Sequence, residues 1–440
     1  MDPDKKKIYI IGGIIGFLLL VIIIAVVISA TGNKKTSTLP TGPVTLTFWN
    51  TFEDSQNLEP LFQAYTQQHP NVHIVYTKKN VETYETDLIN ALASGNGPDI
   101  FAINNSWLPK YLDKVVPATD STITFNDYKN AFVDVVVSDF TKDRKIYGIP
   151  MAIDSLALYY NKDILGTAGI ATPPKTWDEL AQDVRQIKKQ DSTGYFSRSG
   201  VAMGTNANVN RAVDILYLLM LQQGTVPYAS DGSYPQFSQS VQKNGSNYSP
   251  SSEALSFYTS FANPYSPNYN WNSRSDYSID SFANGRAAFL YSYSYTRQTL
   301  LQKSPNLNFD VTGVPQPNLD DPAVNYANYW GQVVSKQSKN SAVAWDFIKY
   351  LTSKAALDKY YSQNKLPSSR KDLISLQIQD PDIGVFANAN LTAKSFYKPD
   401  QVKMDNIFGT MIDNIILKHL SVDTALSQAS AQAATLTQRQ

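Results

Sequence analysis

Three short apolar runs separated by two segments of helical period occupy residues 44–103, and this pattern restricts the fold of the 440-residue chain more than any other feature. Val44, Leu46 and Phe48 alternate with threonines as a strand does, and Leu58, Leu61, Phe62 and Tyr65 then recur at helical spacing until Pro70 stops the helix. Val72, Ile74 and Tyr76 alternate again, Tyr84, Leu88 and Leu92 mark a second helix, and Ile100 to Ile103 is a third, fully apolar strand. Strands joined by single crossover helices lie parallel in one sheet, and such open sheets bind ligands just beyond the carboxyl ends of their strands. Those ends carry Trp49 and Asn50, with Glu53 close behind, and then Asn104, Asn105, Ser106 and Trp107. The chain is therefore expected to be α/β, with its site at these positions.

Ahead of this pattern, Lys5, Lys6 and Lys7 precede an uncharged apolar run from Ile8 to Ala30. At about 1.5 Å per residue the run reaches ~34 Å, enough for a hydrocarbon core of roughly 30 Å. A cleaved signal peptide would have a shorter apolar region ending in a small-x-small site, whereas Ile28 stands where the first small residue belongs. The expectation is an uncleaved transmembrane anchor at 8–30, a cytoplasmic tail at 1–7, and a Thr-, Ser-, Gly- and Pro-rich linker at 31–43. The lysines before the span place the N-terminus in the cytoplasm and the binding domain outside the cell membrane.

Charge and cysteine usage narrow the partners. Lys plus Arg and Asp plus Glu both number 38, so neither nucleic acid nor a strongly charged ligand is indicated, and a neutral polar ligand fits better. With no cysteine there are no disulfides, no thiolate metal sites and no lipid-bearing cysteine. His69 and His73 are separated by Pro70 and His419 stands alone, so no metal set or cofactor is expected.

Further along, Thr176 and Glu179 form a capping box for a helix through Leu180, Val184 and Ile187. Arg211 to Gln222 reads as an apolar helix, and Ala344, Phe347, Ile348 and Leu351 as an amphipathic one capped by Ser341. The polar stretch from Gln222 to Ser252 reads as hairpins and loops, and the Ala- and Gln-rich tail after Ser430 is expected to fray.

Four blocks occur in order along the chain: SGNGPDI from Ser94, YGIPMAIDSLALYYNKDIL from Tyr147 continuing into PPKTWDEL, SFANGRAAFLYSYSYT from Ser281, and YWGQVVSKQSKNSAVAWDFIKYL from Tyr329, followed by LPSSR. Together they resemble extracellular solute-binding protein family 1, the sugar-binding proteins of ABC transporters. The resemblance implies a two-lobed periplasmic-binding-protein-like fold of type II, with discontinuous lobes joined by hinge strands. By analogy, 44–153 with 312–366 would form the first lobe and 154–311 with 367–440 the second. It also implies a monomer that is not an enzyme. The receptor would close over a carbohydrate, expected to be an oligosaccharide, and deliver it to ABC permease subunits.

Sugars offer C–H faces to aromatic rings and hydroxyls to paired hydrogen bonds, so a sugar cleft mixes aromatics with carboxylates and amides. By the resemblance, Asp154 stands at an acidic ligand position, with a hinge hydrogen bond as its other reading, and Tyr295, with Tyr293 nearby, stands where a ring stacks on the sugar. Trp330 beside Gly331 is placed as a platform or as core. Trp271, a large ring in a polar loop, is added as a candidate, whereas Trp177 and Trp345 have core-like spacing. Two other functions stay open: a tethered glycan sensor without a transporter, and a glycan hydrolase, which would need a second carboxylate facing Asp154.

Overall fold

A computed structural model describes residues 39–243 and 245–437. The five elements expected at the start form in order: strand Val44–Asn50, helix Ser55–Gln68, strand Val72–Lys78, helix Tyr84–Ala93 and strand Ile100–Asn104. Val44–Asn50 lies between the other two strands and runs parallel to both. Its alternation sends Leu46 and Phe48 into a core shared with Leu58, Phe62 and Phe347. The late strand Trp330–Ser335 pairs antiparallel with Ile100–Asn104 and so ties a distant part of the chain into this first sheet.

A second sheet has the order Phe309–Thr312, Ala157–Asn161, Ala287–Ser292, Phe196–Val201, Lys189–Gln190. It has its own core, in which Leu158, Tyr159, Leu180, Leu216, Phe289 and Phe408 are buried. The helix Trp177–Ile187 begins at the expected capping box: Thr176 Oγ1 accepts from Glu179 N at 3.2 Å and Glu179 Oε2 accepts from Thr176 N at 3.1 Å. Asn161 caps the helix Lys162–Thr167 in the same way, accepting from Ile164 N at 2.9 Å. Such caps are worth about 1 kcal/mol each.

Several expectations change. Ser341 is the first residue of its helix and not a cap; Asn340 flanks that helix without a side-chain capping bond. The tail does not fray after Ser430. The helix Val422–Thr437 continues because Ala425, Leu426, Ala429 and Ala433 recur at helical spacing and are all buried. The segment 313–326, grouped with the first lobe in the sequence, packs with the second: Val314 and Tyr326 lie in the second core, and Ala327 and Tyr329 in the first. Leu373 and Ile374 pack in the first core, so 367–374 lies with that lobe. The membrane span at 8–30, the tail at 1–7 and most of the linker fall outside the described residues; among those described, no helix is long and apolar enough to cross a membrane.

Two segments cross between the lobes side by side, and Ser368 at the edge of the first lobe lies against them. Ser155 pairs with Ala327, and Ala152 with Ser368. Leu156 N donates to Tyr326 O at 2.9 Å and Asn328 N to Asp154 O at 3.0 Å. Asn390 stitches the crossings together, its Nδ2 donating to Ile153 O at 3.1 Å and Ser368 O at 3.2 Å while its Oδ1 accepts from Ser155 Oγ at 2.8 Å. Asn390 is buried, so Asn390→Ala orphans groups that water cannot reach. It is expected to lower the unfolding free energy by about 1–3 kcal/mol, read by urea denaturation; a change below about 0.5 kcal/mol would contradict this role.

Candidate functional site

The strand ends and the crossing segments meet at a cavity of about 100 Å³ whose walls include Asn50, Phe52, Glu53, Asp154, Trp330 and Gln332. Asn50 ends the first strand, Glu53 follows it before the first helix, and Asp154 lies in the first crossing. Trp330 and Gln332 are two apart on one strand and therefore share a face, while Gly331 between them points away. A Cβ on Gly331 would come 2.5 Å from the Phe140 ring, so this glycine serves close packing and is not a ligand contact.

Four polar atoms at this cavity are buried without a hydrogen-bond partner among the described residues: Asn50 Nδ2, Glu53 Oε2, Asp154 Oδ1 and Gln332 Oε1. Buried polar groups in folded proteins are nearly always paired, and here the Asn50 side chain lies close enough to Glu53 to pull its carboxyl down, so the cluster makes this space strongly polar. The other oxygen of Asp154 is occupied: Oδ2 accepts from Ser294 N at 2.9 Å and Ser294 Oγ at 2.7 Å. Burial pushes the Asp154 carboxyl up to about 7, against the opposing pull of the Ser294 hydrogen bonds. Burial also raises Glu53 above the usual carboxylate range.

This raised value sets the sign of a pH dependence. Between pH ~4 and ~7 unfolded Asp154 has lost its proton while folded Asp154 keeps it, so stability falls as pH rises through that window. In Asp154→Asn this contribution vanishes. The ligand-free variant is expected to lose less stability than wild type between pH 4 and pH 7; parallel Tm profiles would show that Asp154 titrates normally.

The aromatic wall belongs to the first lobe. Trp330 meets Phe52 edge-on, ring centres 5.5 Å apart, and meets Trp107 at 4.9 Å and 64°. Trp107 is buried, stacks on Tyr111 at 5.6 Å and donates from Nε1 to Gln401 at 2.8 Å, so it backs Trp330 and is not an open platform. Asn104 and Ser106 lock each other, Asn104 Oδ1 accepting from Ser106 N and Oγ. Asn104 also donates to Asn328 Oδ1 at 2.8 Å and has a structural role. Ser106 lines a separate space of about 550 Å³, shared with Tyr228 and Tyr397, where Asp139 accepts from Asn105, Tyr329 and Ser395. Trp49 is covered by Lys79, whose Nζ sits 3.7 Å from the ring centre, and does not line the cavity.

On the second lobe, Tyr295 is 48% exposed, and its hydroxyl accepts from Arg211 Nη2 at 2.7 Å and Nε at 3.2 Å. Tyr293 is buried and donates to Asp214 at 2.9 Å, so it holds the floor beneath and is not a contact. Trp271 is fully buried, with Nε1 donating to Asn208 at 3.1 Å, and belongs to the second core. Trp177 and Trp345 are buried as their spacing predicts.

Phe52, Gln332, Ser294 and Arg211 escape a reading of the sequence. Gln332 follows from Trp330 by strand alternation, which is a usable signal. Arg211 gives none: it holds φ 60 and ψ 28 at the start of the helix Ala212–Gln222, a left-handed backbone that an ordinary residue seldom adopts.

The bacterial extracellular solute-binding protein model matches residues 49–357, most of the chain. The chain belongs to that family. This solute-binding protein is 23% identical over 364 residues to the multiple sugar-binding protein of Streptococcus mutans, covering 81% of this chain and 82% of that one. It is 23% identical over 388 residues to the maltotriose-binding protein of Pyrococcus abyssi, covering 85% and 78%. The solved sugar-binding protein MalE of Xanthomonas citri superimposes with a TM-score of 0.75 at 20% identity, covering 90% of this chain and 98% of that one. The two-lobed α/β architecture of the solute-binding protein is thereby shared with its solved neighbours.

Proposed function

We propose that this solute-binding protein is the extracytoplasmic receptor of an ABC importer, capturing a carbohydrate, an oligosaccharide by expectation, between its lobes. The observation that carries the reading is the set of four unpaired polar atoms on residues that share one cavity with the rings of Phe52 and Trp330, at the foot of the lobe crossings. Carboxylates and amides pair with hydroxyls, and rings pack on C–H faces, the combination a sugar requires. The names of the relatives from Streptococcus mutans and Pyrococcus abyssi point the same way.

In this reading Asn50, Glu53, Asp154 and Trp330 contact the ligand, with Tyr295 presented from the second lobe, and the sugar leaves chemically unchanged. The lobes divide as 44–153 with 327–374 and 154–326 with 375–437, and ligand closes them by favouring the closed form. The apolar run 8–30 anchors the receptor to the membrane as a single pass with its domain outside. A melting-temperature panel of mono- and oligosaccharides tests the reading, since a ligand at 100 times its Kd adds about 2.7 kcal/mol. A flat response across the panel would overturn it.

One observation favours a second reading. Glu53 lines the same cavity as Asp154, and a hydrolase would need this pair set about 5–10 Å apart across the bond to be cut. Release of product on incubation with a bound glycan would establish this reading in place of transport.

A further inference from the structure

The unpaired atoms around the cavity at the lobe crossings are unbalanced in kind. Three are oxygens, Glu53 Oε2, Asp154 Oδ1 and Gln332 Oε1, the two carboxyl oxygens becoming pure acceptors once they lose the proton that burial holds on them, and Asn50 Nδ2 is the one nitrogen. Among the described residues, no lysine, arginine or histidine lines the space. The cations that act on the two carboxyls are engaged elsewhere: Lys78 bridges Asp54 at 2.8 Å, and Arg211 donates to the Tyr295 hydroxyl. Removing two carboxylates from water without a counter-charge is costly, and the cost is relieved by a proton or by a positive ligand.

The rings select between positive ligands. Phe52 and Trp330 stand on the same cavity, and ammonium groups are attracted to aromatic faces, Trp most strongly. A hard divalent metal instead needs six or more oxygen ligands, and no group of three or more acidic, His or Cys side chains able to hold a metal occurs among the described residues.

We infer that this cavity takes the ammonium group of an amine-bearing sugar residue, seated between Glu53 and Asp154 against the rings of Phe52 and Trp330 while the sugar ring lies outside it. The inference rests on the carbohydrate reading above and specifies its ligand. The ammonium gives each carboxylate a hydrogen bond in which donor and acceptor are both charged, whereas a neutral hydroxyl at the same position leaves the buried negative charge unopposed. Gln332 Oε1 accepts its remaining proton or a neighbouring hydroxyl, and Asn50 Nδ2 donates to a ring oxygen or hydroxyl.

Titration calorimetry and thermal shift on the full chain test this, using glucosamine, galactosamine, mannosamine and their short oligomers. Each is compared with its N-acetylated form and its parent neutral sugar, together with neutral oligosaccharides such as maltotriose and simple alkyl amines. At least one amino sugar is expected to bind about tenfold or more tighter than both of its neutral counterparts. In Glu53→Gln that preference should fall to about one, with the neutral sugars changed far less; Asp154→Asn provides the same comparison should the first variant fail to fold. If no amino sugar exceeds its neutral counterparts, the inference is overturned, and binding of a neutral oligosaccharide in the same panel would leave the carbohydrate reading standing. Stabilisation by alkyl amines alone, or by nothing in the panel, would overturn both.

Discussion

Trp271→Ala is expected to lower the unfolding free energy by about 3–5 kcal/mol while leaving ligand affinity within about twofold. The indole is fully buried in the second core, and its Nε1 donates to Asn208 Oδ1 at 3.1 Å. Asn208 in turn donates to Asn272 O at 2.9 Å and Ser275 O at 2.8 Å, so the ring anchors the polar loop around it. Truncation leaves a cavity in a close-packed region and removes one of the two hydrogen bonds to Asn208 Oδ1, which keeps the one from Thr205 Oγ1. Urea denaturation gives the stability, and calorimetry with whichever sugar stabilises the wild type gives the affinity. A variant of near-normal stability with a greatly weakened Kd would return Trp271 to the binding site.

Trp271 also shows where reasoning from the sequence stops. Its neighbours are Asn and Ser, so local composition describes a solvated loop, yet Phe261 O accepts hydrogen bonds from both Asn270 N and Trp271 N and fixes the ring over the core. That contact spans ten residues and leaves no periodic trace. The parallel strands and helices from Val44 to Asn104 were legible because each buries one face, so their period is written in every second or every third and fourth residue. The capping box at Thr176 was legible for a similar reason, since it depends on residues three apart.

Part of the cavity's lining was legible. Asn50, Glu53, Asp154 and Trp330 sit where strand ends and family blocks place them, and they line one cavity. Tyr293 neighbours Tyr295 in sequence and Trp107 follows a strand end, but alternation and stacking turn their rings inward, onto Asp214 and Tyr111 respectively. Gly331 follows the same rule, its face meeting Phe140. Arg211 was invisible because its role comes from a contact with Tyr295, 84 residues away. What the sequence carries well is the scaffold's periodicity; what it carries poorly is which of two adjacent side chains the scaffold turns toward the ligand.

That distinction gives the second large effect its meaning. Trp330→Ala is expected to weaken binding by at least about 30-fold, some 2 kcal/mol, with a smaller cost to stability. Trp330 is only partly buried, and its ring is set by Trp107 at 4.9 Å and Phe52 at 5.5 Å, so little side-chain freedom remains to be lost when a ligand packs on it. Removing it deletes a flat apolar surface from the cavity and loosens Phe52, while the core beneath keeps Trp107 stacked on Tyr111. Trp330→Phe preserves a ring of smaller area and should fall between the two. Trp107→Ala should instead cost mainly stability, because that ring lies behind the wall. If Trp330→Ala proves as destabilising as Trp271→Ala and binds the ligand normally, the ring is core, and the space between Glu53 and Asp154 is not where the solute rests.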